Sequence, residues 1–403
     1  MEALEQFPPN RASGLARLER FAPKAGTEYR RLRARVFGPG CHAHVSTLSP
    51  YIRHRLVTEE EVLKTVLDHH SRDDAAKFVD ELFWRTYNKG WLEMRPSAWD
   101  DCRAELSVAW DDVQTQGGLR RRWEEACLGR TGIACFDAWA HELVETGYLH
   151  NHARMWFASI WLYTLDLPLA LGQDFFLRHL CDGDPASNTL GWRWVAGLHT
   201  PGKTYLAEPA AIRDCTEGRF DPEGELAREA KPVDGPPNPE RNEAPQGHEL
   251  DRSGRVVLLL HEDDLSPGWM FDKGLAPVAT GVIDASGGLS ILQPAEHVTR
   301  FKTGAIEDCL TREADHLGPV TRDLTSARQI EDWAKAQNAT RIVTLHPPVG
   351  PVADIVRGID TLPVTRLLRD WDRRAWPYAT AGFFKFRSNI PELIAATQGV
   401  QAR

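Results

Sequence analysis

The 403-residue chain has no apolar run of the roughly eighteen residues that a membrane-crossing helix requires. Its opening, MEALEQFPPN, lacks the basic and then apolar pattern of a secretory leader and carries two acidic residues and prolines instead. A cytoplasmic protein is therefore expected. Cysteine is sparse: there are seven, an odd number, with no regular spacing and no CxxC pair. That argues against a disulfide framework and against a thiolate-held zinc or iron–sulfur cluster, and it fits a reducing compartment. No metal site is expected. Neither a P-loop nor a GxGxxG fingerprint is present. Positive charge is also short, with a net charge of −9, whereas nucleic-acid binders usually carry a basic balance. Tight nonspecific DNA binding is disfavoured, while a local basic face stays open because attraction depends on where charges sit.

What is present divides the chain in two. From Pro201 to Gly254 there are eight prolines and many charges, with GPPNPERNEAPQG at the centre, the composition of an extended, exposed linker. Before it the pattern is helical. Helices are expected over 14–21 and 27–36, the latter with arginines at 30, 31, 33 and 35, and again where Val62, Val66, Ala76, Val79, Leu82 and Phe83 keep helical spacing. Thr58 followed by Glu59, Glu60 and Glu61 reads as an N-terminal cap. Beyond the linker, the apolar runs 255–261, 277–284 and 341–346 alternate with helical stretches 300–317, 326–338 and 352–359. This predicts a small parallel sheet covered on both faces. The expected domains are a helical one over 1–225, a linker over 226–254 and an α/β one over 255–403.

Unusual chemistry concentrates between Thr146 and Trp194. The segment 150–165 is apolar on nearly every side yet holds Arg154. A helix apolar all round is buried, and a buried guanidinium needs an anion. Asp182 and Asp184, on either side of Gly183, are the candidates. Asn188, Trp192 and Trp194 complete a polar and aromatic cluster fit for a large cofactor. His150 and His152 splay apart on a helix and do not make a metal pair. Ser46, Thr47 and Ser49 offer hydroxyls beside a helix start, which suits an anion or a simple cap. Glu81, Trp84 and Arg85 share one helix face; alone, such a triple reads as a solvated ion pair over a half-buried ring.

The strings HNHARM, DGDPASN and GWRW, in that order, resemble the flavin-binding helical domain of the photolyase and cryptochrome family, and the resemblance runs from near Tyr29 to about Phe220. It implies an all-helical FAD-binding domain, followed here by the α/β domain. It further implies that Ser46, Thr47, Leu48 and Ser49 hold the flavin diphosphate, and that Tyr29, Arg85, His150, Arg154, Asp182, Asp184 and Asn188 line the cofactor. Within that set Asp184 serves the ribose and adenine, Arg154 paired with Asp182 walls the flavin ring, and Asn188 sits at its N5. Glu81 and Trp84 would face damaged bases, and Asn151 and Met155 favour the cyclobutane lesion. Trp192 and Trp123 match the inner and outer members of a tryptophan relay. Its middle position falls at Leu169, so either the relay is broken there or another aromatic such as Trp156 or Trp161 replaces it.

The implied activity is a blue-light-driven DNA photolyase, in which excited reduced flavin lends an electron to a cyclobutane pyrimidine dimer. The alternative is a cryptochrome-like photoreceptor that binds FAD without repair. Expected partners are DNA containing dimers, single- or double-stranded, with no membrane and the chain as a monomer; an antenna pigment is left unspecified. VVLLLHEDDLSP resembles the family's first strand and loop, and WPYATAGFFKFR a later aromatic segment. In the family the α/β domain comes first, so the reversed order here implies a circular permutation; the alternative is an unrelated α/β domain.

Overall fold

In a computed structural model of the chain, residues 3–397 and Gly399 are described; residues 400–403, the end of the expected second domain, lie outside them. The helical half opens with α1 (Ala3–Gln6), α2 (Arg11–Phe21) and α3 (Thr27–Leu32). The third is shorter than its sequence suggests, because 33–36 turn away toward a backbone bond from Val36 to Cys215. After α4 (Ser49–Arg53) comes α5 (Glu59–His69). Thr58 and Glu61 close the expected box there, the hydroxyl accepting from the Glu61 amide and the carboxylate from the Thr58 amide.

The longest helix is α6 (Arg72–Glu93), capped by Ser71. Phe78, Val79, Leu82, Phe83, Tyr87 and Trp91 bury one broad side of it. At Gly90 a side-chain carbon would come within 2.9 Å of the Trp376 Cα, so glycine lets the second half of the chain lie directly on this helix. Then follow α7 (Ser97–Thr115), α8 (Gly117–Cys127), α9 (Ala134–Thr146), α10 (Asn151–Ser159), α11 (Leu169–His179), α12 (Pro185–Val195) and α13 (Pro209–Cys215). The apolar stretch read over 150–165 is two pieces, since α10 passes into a π-helical turn at Ile160–Thr164. Among the described residues no helix is long and apolar enough to cross a membrane.

Residues 226–254 form neither helix nor strand, but they are not free in solvent. Val233 bonds to Ala196, Asn242 to Met94, and His248 to Arg366, so the proline-rich segment is strapped along both halves.

The second half is a five-stranded parallel sheet in the order β3-β2-β1-β4-β5, with β1 (Val256–Leu260), β2 (Thr280–Ile283), β3 (Val320–Leu324), β4 (Arg341–Leu345) and β5 (Val364–Leu367). Leu258 of β1 stands between Thr280 and Val343. The three inner strands are apolar and buried, as their sequences promise. The outer two, VTRDL and VTRL, were not foreseen: each has only one neighbour, and their polar, half-exposed residues carry no apolar run to read. The helices are α14 (Gly268–Asp272), α15 (Glu296–Arg312), α16 (Ala314–Leu317), α17 (Ala327–Ala336), α18 (Pro351–Arg357), α19 (Asp370–Ala375), α20 (Phe383–Arg387) and α21 (Ile390–Ala395).

One apolar core runs through both halves, joining Phe83 and Trp91 to Leu258, Trp371 and Phe386. Buried charge accompanies it. Arg55, in the left-handed region at φ 49°, reaches Glu59, Asp264 and Asp372 at 3.2, 3.2 and 2.6 Å. Replacing Arg55 with alanine would strand carboxylates inside this seam, and an uncompensated buried charge costs about 3–5 kcal/mol. Urea unfolding of Arg55→Ala should show a loss of that size; a loss under about 1 kcal/mol would mean that the cluster behaves as an exposed ion pair.

Candidate functional site

The site grows from three elements that meet near the start of α10. The Arg154 guanidinium donates to Asp182 at 2.8 Å and to the Leu149 carbonyl at 2.8 Å, so the anion sought for it lies where the sequence placed it. The Arg154 side chain keeps 23% exposure and is not fully enclosed. It lies over the Tyr148 ring at 5.5 Å, and His42 packs edge-on against that ring, centroids 4.8 Å apart. His42 Nε2 in turn stands 3.3 Å from Glu142 Oε1.

Several polar atoms here are buried without a hydrogen-bond partner among the described residues: Asp182 Oδ1, His150 Nε2 and His152 Nδ1. Orphaned buried groups are rare and costly. They ask for a molecule that brings its own donors and acceptors. FAD, with hydroxyls along its ribityl chain and an N–H on its ring, has that character, so the donor set fits it.

Burial lowers the His150 imidazole to about 3, with the charges of His152, His42 and Arg154 acting in the same direction. Burial likewise holds His152 at about 4. Both rings are neutral at physiological pH.

Asp184 faces away from its neighbour Asp182. Its Oδ1 caps α12 by accepting from the Ser187 amide at 2.8 Å. Its Oδ2 faces Lys89 at 3.1 Å and Arg53 and Arg85 at 3.7 Å each. Burial alone would raise this carboxyl, but Lys89, Arg85 and Arg53 together hold it far below the usual range. Lys89 and Arg53 are partners that sequence reasoning missed. Lys89 could have been found, since it continues the stripe of Glu81 and Arg85 at four-residue steps along α6; Arg53 carries no such signal. Both line an open cleft shared with Glu262, Asp263 and Pro348–Val352. The cleft sits past the carboxyl ends of β1 and β4, but Arg154, Asp182 and Asn188 do not line it.

The remaining expected residues take these places. Thr47, at φ 51°, accepts from Arg17 at 2.8 Å, and the Leu48 amide points at the Ser46 hydroxyl at 3.4 Å; Ser49 begins α4. A guanidinium beside these hydroxyls suits a diphosphate. Tyr29 is buried against Phe21 and Phe78, and burial pushes its hydroxyl up to about 12. Asn188 donates to the Gln173 carbonyl at 2.9 Å. Asn151 is exposed and Met155 half-buried at the start of α10.

Glu81 pairs with Arg33 at 2.8 Å and Lys77 at 2.9 Å, and these three charges also act on His152, so the Glu81 face adjoins α10. Arg85 turns inward to Glu59 at 3.5 Å and to Asp184. Trp84 is half-buried, with Phe383 stacked on it at 3.8 Å and 13°. No sequence signal linked those two rings, which lie on separate halves of the chain.

Among the tryptophans, Trp192 lies 6.3 Å from Trp161, centroid to centroid. Gly172 makes that approach possible, because a side-chain carbon there would come within 2.3 Å of Trp192 and 2.9 Å of Trp161. Trp161 therefore stands beside Trp192, while Leu169 is buried. Trp123 contacts Trp110 at 5.3 Å, and Trp156 stacks with Trp139 at 5.6 Å.

Residues 78–232 match the family model described as the FAD binding domain of DNA photolyase. The deoxyribodipyrimidine photo-lyase of Escherichia coli (strain K12) is 31% identical over 236 residues, covering 56% of this chain and 47% of that protein. That of Thermus thermophilus is 32% identical over 223 residues, covering 54% and 49%. The chain thus spans about half the length of the curated relatives it matches. Among solved structures, a bacterial class III photolyase from Agrobacterium tumefaciens aligns with a TM-score of 0.42 at 24% identity, over 52% of this chain and 43% of that one. A cryptochrome from Synechocystis sp. PCC6803 aligns at 0.43 and 22%, over 53% and 44%.

His150 makes the burial of this cluster measurable. Its value in the fold, about 3, is below the ordinary 6.5, so the unfolded chain takes up the proton first as pH falls. Stability present above about 6.5 is therefore lost progressively toward about 3. Urea midpoints at neutral and mildly acidic pH should fall further for the wild type than for His150→Gln. Equal pH slopes for the two proteins would show that the imidazole is solvated.

Proposed function

Because residues 78–232 match the FAD binding domain of DNA photolyase, we propose that the chain binds FAD and is a DNA photolyase that splits cyclobutane pyrimidine dimers under blue light. The observation that carries this reading is the Arg154–Asp182 pair set among buried polar atoms that lack partners, next to a helix face bearing Glu81 and Trp84. The bound flavin supplies the electron chemistry, and the protein supplies position and electrostatics.

The tasks of the side chains follow from their surroundings. Arg154 and Asp182 wall the flavin ring, and His150, kept neutral by burial, adds no charge to it. Arg17 and the hydroxyls of Ser46, Thr47 and Ser49, with the Leu48 amide, take the diphosphate. Tyr29 closes the pocket behind them. Arg85 and Asp184 bear on the cofactor's sugar and phosphate side, already linked to each other, and Asn188 presents its amide to N5. Trp84 offers an aromatic face for an extruded base, and Glu81, its charge balanced by Arg33 and Lys77, accepts from the base edge. Asn151 and Met155, at the accessible start of α10, select the cyclobutane lesion.

Trp161, beside Trp192, is the candidate middle member of the relay, with Trp123 remaining the candidate outer member. The α/β half, through the HEDD loop after β1 and the aromatic segment around α20, stands for the family's first domain in permuted order, with domains over 1–225 and 255–403 joined by 226–254.

A second reading is a blue-light receptor without repair. Phe383 on Trp84 favours it, since one face of the proposed base platform is already covered.

Purified protein should be yellow and should split thymine dimers back to thymines under blue light. Trp84→Ala and Glu81→Ala should each weaken dimer binding; loss of base stacking is worth about 1–3 kcal/mol, or roughly fivefold and more. Colourless protein that refuses added FAD ends both readings. Flavin-loaded protein with no repair and no dimer affinity leaves the receptor.

A further inference from the structure

In the described residues the most exposed large apolar side chain is Phe384, at 81%. It belongs to α20, a single helical turn, where the spacing of three turns Phe383 and Phe386 into the core at 4% and 0% exposure. Phe384 is left on the opposite side with Lys385. The turn is not loosely held. Phe383 stacks on Trp84, Phe386 packs against Phe83 and Tyr87, and Arg387 pairs with Asp80 at 2.9 Å. The exposed ring is therefore presented on a fixed support.

We propose that α20 is a contact for single-stranded DNA, with Phe384 stacking on a base and Lys385 meeting the backbone phosphate beside it. The inference rests on the repair reading and extends its DNA surface to the C-terminal half of the chain. Two observations choose nucleic acid as the occupant. Lys385 is exposed and has no ion-pair partner among the described residues, so its charge is free for an anion. The turn that carries Phe384 is also the one whose Phe383 backs Trp84, so the exposed ring and the Trp84 ring belong to one packed unit. An aromatic face next to a free cation is the pairing by which single strands are held without sequence preference. In a chain of net charge −9, attraction to phosphate has to come from such local sites.

The full chain, wild type and as Phe384→Ala, Lys385→Ala and Trp84→Ala, is titrated against a short fluorescent thymine oligonucleotide carrying one cyclobutane dimer, read by anisotropy at several salt concentrations. Phe384→Ala should raise Kd about fivefold or more, and Lys385→Ala should reduce the salt slope by about 0.7, one phosphate on a single strand. Both substitutions are on the surface, so thermal midpoints should match the wild type, and a Kd that rises with an unchanged midpoint supports the contact. Wild-type affinity in Phe384→Ala together with weakened binding in Trp84→Ala overturns the α20 contact and leaves the repair reading standing. A wild type that does not bind the strand removes that reading and this contact with it. Unchanged DNA affinity with altered sedimentation would make Phe384 a contact between copies of the chain and would likewise overturn the proposal.

Discussion

Charge buried between two halves of one chain is the constraint on which the rest of this structure depends. Arg53, the last residue of α4, and Arg55, just past it, each lie among carboxylates: Glu262, Asp263 and Asp184 around Arg53, and Glu59, Asp264 and Asp372 around Arg55. Burial alone would lower both guanidinium groups, yet the surrounding acids raise them. Neither half could bury its own share, since an isolated charge in a core costs several kcal/mol. The loop HEDD after β1 therefore fixes the sheet to the helices at one position, with the matched charges acting as its register.

The long helix α6 is the spine of that seam. Along it Asp80 holds Arg387, Thr86 accepts from Trp371, Tyr87 donates to the Ala381 carbonyl, Lys89 faces Asp184, and Glu93 accepts from the Val349 amide. The same helix presents Glu81 and Trp84 to the side where α10 begins. Docking of the second half and orientation of the candidate site are thus one packing problem. A shift of α6 that loosened the seam would also move the Trp84 ring and the Phe383 stacked on it. The open cleft past β1 and β4 belongs to this seam. The atoms that ask for a bound molecule lie elsewhere, around Arg154, Asp182 and His150.

Much of this was readable in the linear chain wherever one residue's own chemistry forces a local answer. Thr58 and Glu61 are a cap because four backbone amides at a helix start need acceptors. The runs VVLLL and RIVTL are inner strands because only a sheet buried on both faces wants every residue apolar. Arg154 demanded an anion, and Asp182 supplied it. The reading failed where the signal is shared between distant segments. Strands β3 and β5 look like loops because their one paired edge lies in another part of the sequence, and the proline-rich 226–254 reads as free because the backbone groups it bonds belong to Ala196, Met94 and Arg366.

By itself, then, the sequence determined the helical and α/β halves, the Arg154–Asp182 pair, and the Glu81, Trp84 and Arg85 face. Only the tertiary structure decided that Asp184 turns from Asp182 toward Lys89 and Arg53, that Trp161 stands next to Trp192 across Gly172, and that Phe383 lies on Trp84. The physical reason is range. Caps, periodicity and charge demand act over a few residues and leave a mark in the string, whereas ring stacking and the matching of buried charges are settled by whichever residues the packing of two halves brings within a few ångströms.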